Sequence, residues 1–151
     1  MAVRYAVDTN ILLRLSDVGD PRHEVIQEAV QYLVADGIRL CFASQCLGEF
    51  WNACTRPLNK NGFGLSIAEA AAQLHSIERT MEPLPEGERV YTVWRRLLLS
   101  HEVRGVQVHD AHLAAVLEVH SVSILLTLNG ADFRRFPHVV AVHPQDLGPQ
   151  G

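Results

Sequence analysis

Short apolar runs alternating with segments of helical period predict an α/β protein, a three-layer α/β/α sandwich around a mostly parallel central sheet. Three observations carry this reading. The runs Val3 to Val7, Arg39 to Ala43 and Ser123 to Leu126 have the length of buried strands. Amphipathic stretches separate them. A late segment, Ala111 to Val119, is apolar around nearly its whole circumference, as an element buried inside such a sandwich must be.

Along the chain, Val3 to Val7 reads as the first strand, broken by Asp8-Thr9-Asn10, whose polar groups can cap a helical turn starting at Ile11. Asp20-Pro21 is a helix start, and Val25, Ile26, Ala29, Val30, Leu33 and Val34 repeat at helical spacing until Gly37. Arg39 to Ala43 is the second strand. Ser44 is expected to cap a helix with a stripe of Leu47, Phe50, Trp51 and Cys54, stopped by Pro57. Pro57 to Gly64 concentrates Asn, Gly and Pro and reads as a mobile surface loop.

Ser66 and Glu69 form a capping box that opens the next helix, and Pro83 and Pro85 close the stretch after it. Val90, Val93, Trp94, Leu97 and Leu98 mark a further helix, with Gly105 ending the helical region soon after. Asp110 is expected to open the apolar helix that ends near His120. Ser123 to Leu126 is a core strand, Thr127 to Asp132 its polar exit, and Val139 to Val142 an edge strand.

At 151 residues the chain has room for one domain, 1–151, with a structured core over about 1–143 and a Pro/Gly tail over 144–151. Thirteen Lys and Arg against 17 Asp and Glu give a net charge of −4, so no general positive field draws in nucleic acid. Phosphate chemistry would need local cations. Cys41, Cys46 and Cys54 fit neither a zinc knuckle nor a disulfide framework, which favours a reducing compartment. Arg4, Asp8 and Arg14 interrupt any signal-peptide core, and no stretch approaches the ~18 apolar residues of a membrane span. A soluble cytoplasmic protein without a membrane partner is expected.

In open α/β sheets ligands bind beyond the carboxyl ends of the strands. Asp8 and the Asn129 to Asp132 segment both stand at strand exits, and Asp110 stands at the end of the apolar helix. Singly, each has an ordinary explanation: Asp8 as helix cap, Asp132 as turn residue, Glu49 as solvated surface on the face it shares with Gln45, Asn52 and Arg56. Together they do not. Several acids at one rim repel by ~1 kcal/mol per close pair in water and ~4 kcal/mol in a partly shielded site. A hard divalent cation with oxygen ligands relieves that repulsion, and such clusters suit phosphodiester hydrolysis.

Four pieces taken together, Val7-Asp8-Thr9-Asn10, Glu49 on the helix after the second strand, Val108-His109-Asp110-Ala111-His112-Leu113-Ala114-Ala115, and Thr127-Leu128-Asn129-Gly130-Ala131-Asp132-Phe133, run from residue 7 to 133. In order and spacing the chain resembles the PIN-domain ribonucleases, most closely the VapC-like toxins of toxin–antitoxin pairs. The resemblance implies a catalytic quartet of Asp8, Glu49, Asp110 and Asp132, with Asp8 and Asp110 the principal metal ligands. It further implies Asn10, Thr127 and Asn129 as a supporting shell, with Asn129 and Asp132 both candidates to face the metal. One or two Mg²⁺ or Mn²⁺ ions would activate water against an RNA phosphate.

The same resemblance implies a homodimer silenced by a small antitoxin that lays a basic side chain over the acids. RNA-contact candidates are Arg14, Arg56, Lys60, Arg134 and Arg135, which flank the rim segments. Competing readings are weaker. His109-Asp110 matches the dipeptide of helical HD-type phosphohydrolases, but the strands argue against that fold, and His112 would lie ~200° round the helix from Asp110. Both histidines read as structural. A phosphatase using Asp8 as nucleophile would want a second Asp at Asn10. A catalytically silent PIN-like binding module would not need all four acids.

Overall fold

The computed structural model describes residues 3–148. Its centre is one five-stranded sheet of β1 (Arg4–Val7), β2 (Arg39–Ala43), β3 (Met81–Leu84), β4 (Ile124–Leu126) and β5 (Val140–Val142), in the order β3-β2-β1-β4-β5. Every neighbouring pair is parallel. A parallel sheet covered on both faces must be apolar on both, and Ala6, Val7, Leu40, Cys41, Phe42, Leu125 and Leu126 are all buried. The three-layer reading therefore holds.

Among the described residues six helices flank the sheet: α1 (Thr9–Ser16), α2 (His23–Ala35), α3 (Ser44–Thr55), α4 (Ile67–Thr80), α5 (Glu88–Ser100) and α6 (Gln107–Val119). Helix α1 packs on α2 and α3, α3 on α4, and α5 on α6. In α6, Ala111, Leu113, Ala114, Ala115, Val116 and Leu117 are all buried in the core, with α5 packed on the helix, which accounts for its near-uniform apolarity. The three cysteines are buried free thiols. Among the described residues, no helix is long and apolar enough to cross a membrane.

Several local expectations are corrected. The stretch around Pro83 is strand β3, pairing Phe42 with Pro83; as an edge strand it tolerates a proline that a central strand would not. Asp20-Pro21 forms a turn before α2, because the Asp20 carboxylate accepts the Arg22 N–H at 2.8 Å and holds the chain out of the helix. Ser44 is the first residue of α3, with Ala43 in the cap position. Helix α6 begins at Gln107, which places Asp110 in its first turn instead of at its cap.

The Pro57 to Gly64 loop is pinned back on α3. Phe63 and Leu65 N–H groups donate to the Ala53 and Cys54 carbonyls at 2.9 Å each, and a Cβ on Gly62 would fall 1.9 Å from the Arg56 carbonyl oxygen. The expected capping box is present, with Glu69 N–H donating to Ser66 Oγ at 3.1 Å and Ser66 N–H to Glu69 Oε1 at 3.0 Å. Within the expected tail, Pro144–Asp146 forms a 3₁₀ turn packed against α2, with Pro144 buried; residues 149–151 of that tail lie outside the described residues.

The strand order has a functional consequence. The chain winds outward from β1 through β2 to β3, then crosses back to place β4 on the other side of β1. The reversal opens a crevice between the carboxyl ends of β1 and β4, the kind of position at which α/β sheets bind ligands.

Candidate active site

Asp8 is the first residue beyond β1, and its N–H donates to the Leu126 carbonyl at 3.0 Å, fixing it against β4. It caps α1: Oδ1 accepts the Thr9 N–H at 2.8 Å. Oδ2 accepts the Thr127 hydroxyl at 2.7 Å and the Asn10 amide at 3.4 Å. Thr127 is 1% exposed, and its Oγ1 also accepts the Asn129 N–H at 3.0 Å, while Asn10 Oδ1 accepts the Leu128 N–H at 3.3 Å. The exits of β1 and β4 are thus laced together by neutral donors.

The same cleft, about 260 Å³ in volume, is lined by Asp8, Asn10, Glu49, Asp110, Asn129 and Asp132, and among the described residues no Lys, Arg or His lines it. Glu49 reaches it from α3. Its Oε1 accepts the Gln45 amide at 3.0 Å and its Oε2 the Thr9 hydroxyl at 3.4 Å, which hold an exposed side chain over the rim instead of out in solvent. Asp110, half-buried, comes from the first turn of α6, and Asp132, exposed, from the 3₁₀ turn Gly130–Phe133.

Burial pushes the Asp110 carboxyl up to about 6 from an ordinary 3.8, and the negative charges of Asp132, Asp8 and Glu49 push the same way. The Asp8 carboxyl is also raised, mainly by burial; hydrogen bonds from Thr127 and Thr9 oppose the rise, and Glu49 and Asp132 add to it. Two acids with elevated affinity for protons, in one cleft without a cation, mark a place where positive charge is missing.

Gln45 has no site role in the sequence reading, yet it joins two acid-bearing helices. Its amide nitrogen donates to Glu49 Oε1 and to the His109 carbonyl, both at 3.0 Å. Among the described residues this is the one side-chain hydrogen bond from α3 to α6, and it lands on the residue before Asp110. Turning the amide over would set its oxygen against two acceptors, so the donor assignment is chemically determined. The i, i+4 spacing of Gln45 and Glu49 is visible in the sequence. The link to α6 is tertiary and is not.

The candidate cations divide. Arg14 faces Asp20 at 3.7 Å and donates to the Asn10 carbonyl at 3.3 Å, and Arg56 donates to the Asn61 carbonyl at 3.0 Å, so both already hold loops. Lys60 is exposed in the pinned loop, Arg135 is half-buried, and Arg134 lines a neighbouring cleft. His112 pairs with Glu86 and stacks on Trp94 with centroids 4.2 Å apart, a packing role that leaves it out of the acid cleft.

The donor set suits a hard divalent cation. All four charged groups are carboxylates, and two amides, Asn10 and Asn129, and two hydroxyls, Thr9 and Thr127, stand beside them. Among the described residues no three such ligands already close around one point. Mg²⁺ binds through one or two carboxylates plus water and substrate oxygens, so it does not require three protein ligands around one point.

The family model of the PIN domain matches residues 5–139. The chain belongs to the PIN-domain family. No curated protein sequence matches it significantly. Among solved structures, this PIN domain resembles VapBC2 from Rickettsia felis bound to a promoter DNA fragment, with 16% identity, TM-score 0.70, and 93% of this chain and 98% of that chain covered. It also resembles VapBC-1 from nontypeable Haemophilus influenzae, with 19% identity, TM-score 0.68 and 94% and 98% coverage. VapC20 of Mycobacterium tuberculosis, described as a sarcin-ricin loop cleaving toxin, aligns with 21% identity, TM-score 0.52 and 80% and 86% coverage. At these identities the likeness is one of fold.

Proposed function

We propose that this PIN domain is a divalent-metal-dependent endoribonuclease that hydrolyses RNA phosphodiester bonds, and that it is the toxin of a toxin–antitoxin pair. The observation that carries the reading is the single cleft at the β1/β4 reversal that collects Asp8, Glu49, Asp110 and Asp132 without a cation. Asp8 and Asp110 would hold Mg²⁺ or Mn²⁺. When bound, the ion supplies positive charge to the phosphate oxygens and acidifies water.

The chain's own groups do the rest. Thr127, Asn10 and the Thr9 N–H hold the Asp8 carboxylate in one orientation. Glu49 and Asp132, on two further elements, accept hydrogen bonds from the attacking water and aim it at phosphorus. At neutral pH an Asp110 carboxyl near 6 is mostly ionised. The net charge of −4 makes the RNA grip local, with Arg134, Arg135 and Lys60 the candidates whose side chains make neither an ion pair nor a hydrogen bond among the described residues, whereas Arg56 is tied to the Asn61 carbonyl.

The VapBC and FitAcB complexes among the similar folds support an antitoxin partner. An antitoxin with a basic side chain over the cleft would neutralise the acids as a metal does. A homodimer is proposed on the resemblance alone. The test is cleavage of single-stranded RNA with Mg²⁺ or Mn²⁺, beside an EDTA control and Asp8→Asn. Cleavage that is lost in both controls is expected; cleavage persisting in pure Asp8→Asn protein would remove the assignment.

A further inference from the structure

The turn that gives Asp132 to the acid cleft gives Gly130 and Ala131 to a second cleft of about 360 Å³, and Phe133 borders both. This second space lies beside the carboxyl end of β5, with Val139 and Ala141 as apolar wall and Arg134, His143 and Asp146 as polar groups. Its volume is in the range of small-ligand sites. Arg134 and Asp146 carry opposite charges on the same cleft, yet neither forms an ion pair among the described residues. His143 Nδ1 accepts the Gln145 N–H at 3.1 Å, so the neutral ring keeps its proton on Nε2 and presents a donor.

An arginine and a carboxylate kept apart on one cleft suit a planar ligand with two acceptors on one edge and two donors on the next. Guanine has that arrangement: O6 and N7 accept from a guanidinium, and N1–H and N2–H₂ donate to a carboxylate. Adenine sets an acceptor, N1, where the carboxylate needs a donor. Unpaired bases are the part of RNA whose edges a protein reads most readily.

We propose that this cleft is a guanine-selective subsite for the nucleotide next to the scissile phosphate. The proposal rests on the nuclease reading for its RNA, whereas its base selectivity involves neither the acids nor a metal, so the two fail separately. The experiment titrates the metal-free, full-length, ¹⁵N-labelled chain with GMP and, for comparison, AMP. GMP is expected to move the Gly130, Ala131 and Ala141 amide resonances and to bind about tenfold tighter than AMP. Asp146→Asn and Arg134→Gln are each expected to bring the two ligands within about twofold. Both side chains are exposed, and unchanged resonances elsewhere establish that the variants fold.

Equal binding of GMP and AMP overturns the subsite, as does a GMP preference that survives in both variants. Cleavage of a randomised single-stranded RNA by the Mn²⁺-supplemented chain is expected to enrich guanine at one position beside the cut, with the enrichment lost in Asp146→Asn. Cleavage with a flat profile overturns the placement next to the scissile phosphate and leaves the nuclease standing. Selective GMP binding by a chain that cuts no RNA supports the guanine site and sinks the nuclease reading.

Discussion

The two ends of the sheet handle charge in opposite ways. At the amino end, Arg39 pairs with Glu82 at 2.6 Å, Arg4 approaches Glu82 at 3.9 Å, and Arg4 also donates to the His120 carbonyl at 2.6 Å. At the carboxyl end, Asp8 and Glu49 are held, among the described residues, only by neutral donors, Thr9, Asn10, Gln45 and Thr127. Neutral donors orient an acid without cancelling its charge. At the amino end the acid is paired with arginines; at the carboxyl end the negative field of the acids is left uncancelled by any nearby cation among the described residues. Size does not mark the site, since the amino-end cleft, about 560 Å³, is larger than the acid cleft.

The comparison breaks most sharply at Asp110. Asp110→Asn is expected to lower metal-dependent RNA cleavage at least about a thousandfold, equivalent to about 4 kcal/mol of barrier. The same change should raise the melting temperature of the metal-free protein, because a carboxylate pushed up by burial and by three neighbouring acids is replaced by a neutral amide. Cleavage time courses and thermal melts with and without Mn²⁺ check both halves. A folded variant that cuts normally would mean that the acids are not acting together.

The acids in this contrast were candidates from the sequence, for identifiable reasons; the amino-end pairs were not. Asp8 and Asp132 follow strands, so linear order brings both to one rim; Asp110 stands near the start of an apolar helix, and only the order and spacing shared with PIN domains joined it to them. Glu49 was not decided by periodicity, because its helix face is exposed; only the Thr9 and Gln45 hydrogen bonds hold it over the cleft. Strand β3 escaped because its Pro83 reads as a terminator, and only its edge position makes it a strand. Gln45 escaped because half of its role is a bond to a carbonyl 64 residues away. What the sequence carries locally is visible; what depends on two helices meeting is not.

The next effect is on pH. In the fold the Asp110 carboxyl lies at about 6 against an ordinary 3.8, so the folded state binds this proton more tightly than the unfolded state. Metal-free protein should therefore gain stability from this group as pH falls from about 6 towards 4, with no further gain below that. The proton competes with the cation, so Mn²⁺ affinity should drop about tenfold per pH unit below about 6. Electron paramagnetic resonance of free Mn²⁺ across pH 5 to 7 measures this without any substrate. A flat affinity over that range would remove Asp110 from the ion.

A smaller effect is expected from Gln45→Leu, which keeps the side chain's bulk and deletes the donor shared by Glu49 and the His109 carbonyl. Residues that orient metal ligands are worth about tenfold to a hundredfold in affinity or activity, and the lower figure applies to an exposed site. Mn²⁺ binding about tenfold weaker, in a protein with unaltered melting of the metal-free form, would place Gln45 in the geometry of the site. Equal loss of stability and affinity would make it a packing residue.

The smallest effect belongs to the amino end. Glu82→Gln leaves Arg4 and Arg39 without their carboxylate, but the partners are 32% to 59% exposed, and such surface pairs contribute about 0.2 to 1 kcal/mol. The expected result is a slightly lower denaturant midpoint that vanishes at high salt, with Mn²⁺ binding and RNA cleavage unchanged. The last point is the informative one. The two rims are separated by the length of the strands and a packed core, so removing charge at the amino end should not be felt by the ion at the other. If Glu82→Gln alters Mn²⁺ affinity severalfold, the two ends form one coupled electrostatic system, and the field at the acids is set by the whole sheet instead of by the four side chains around the cleft.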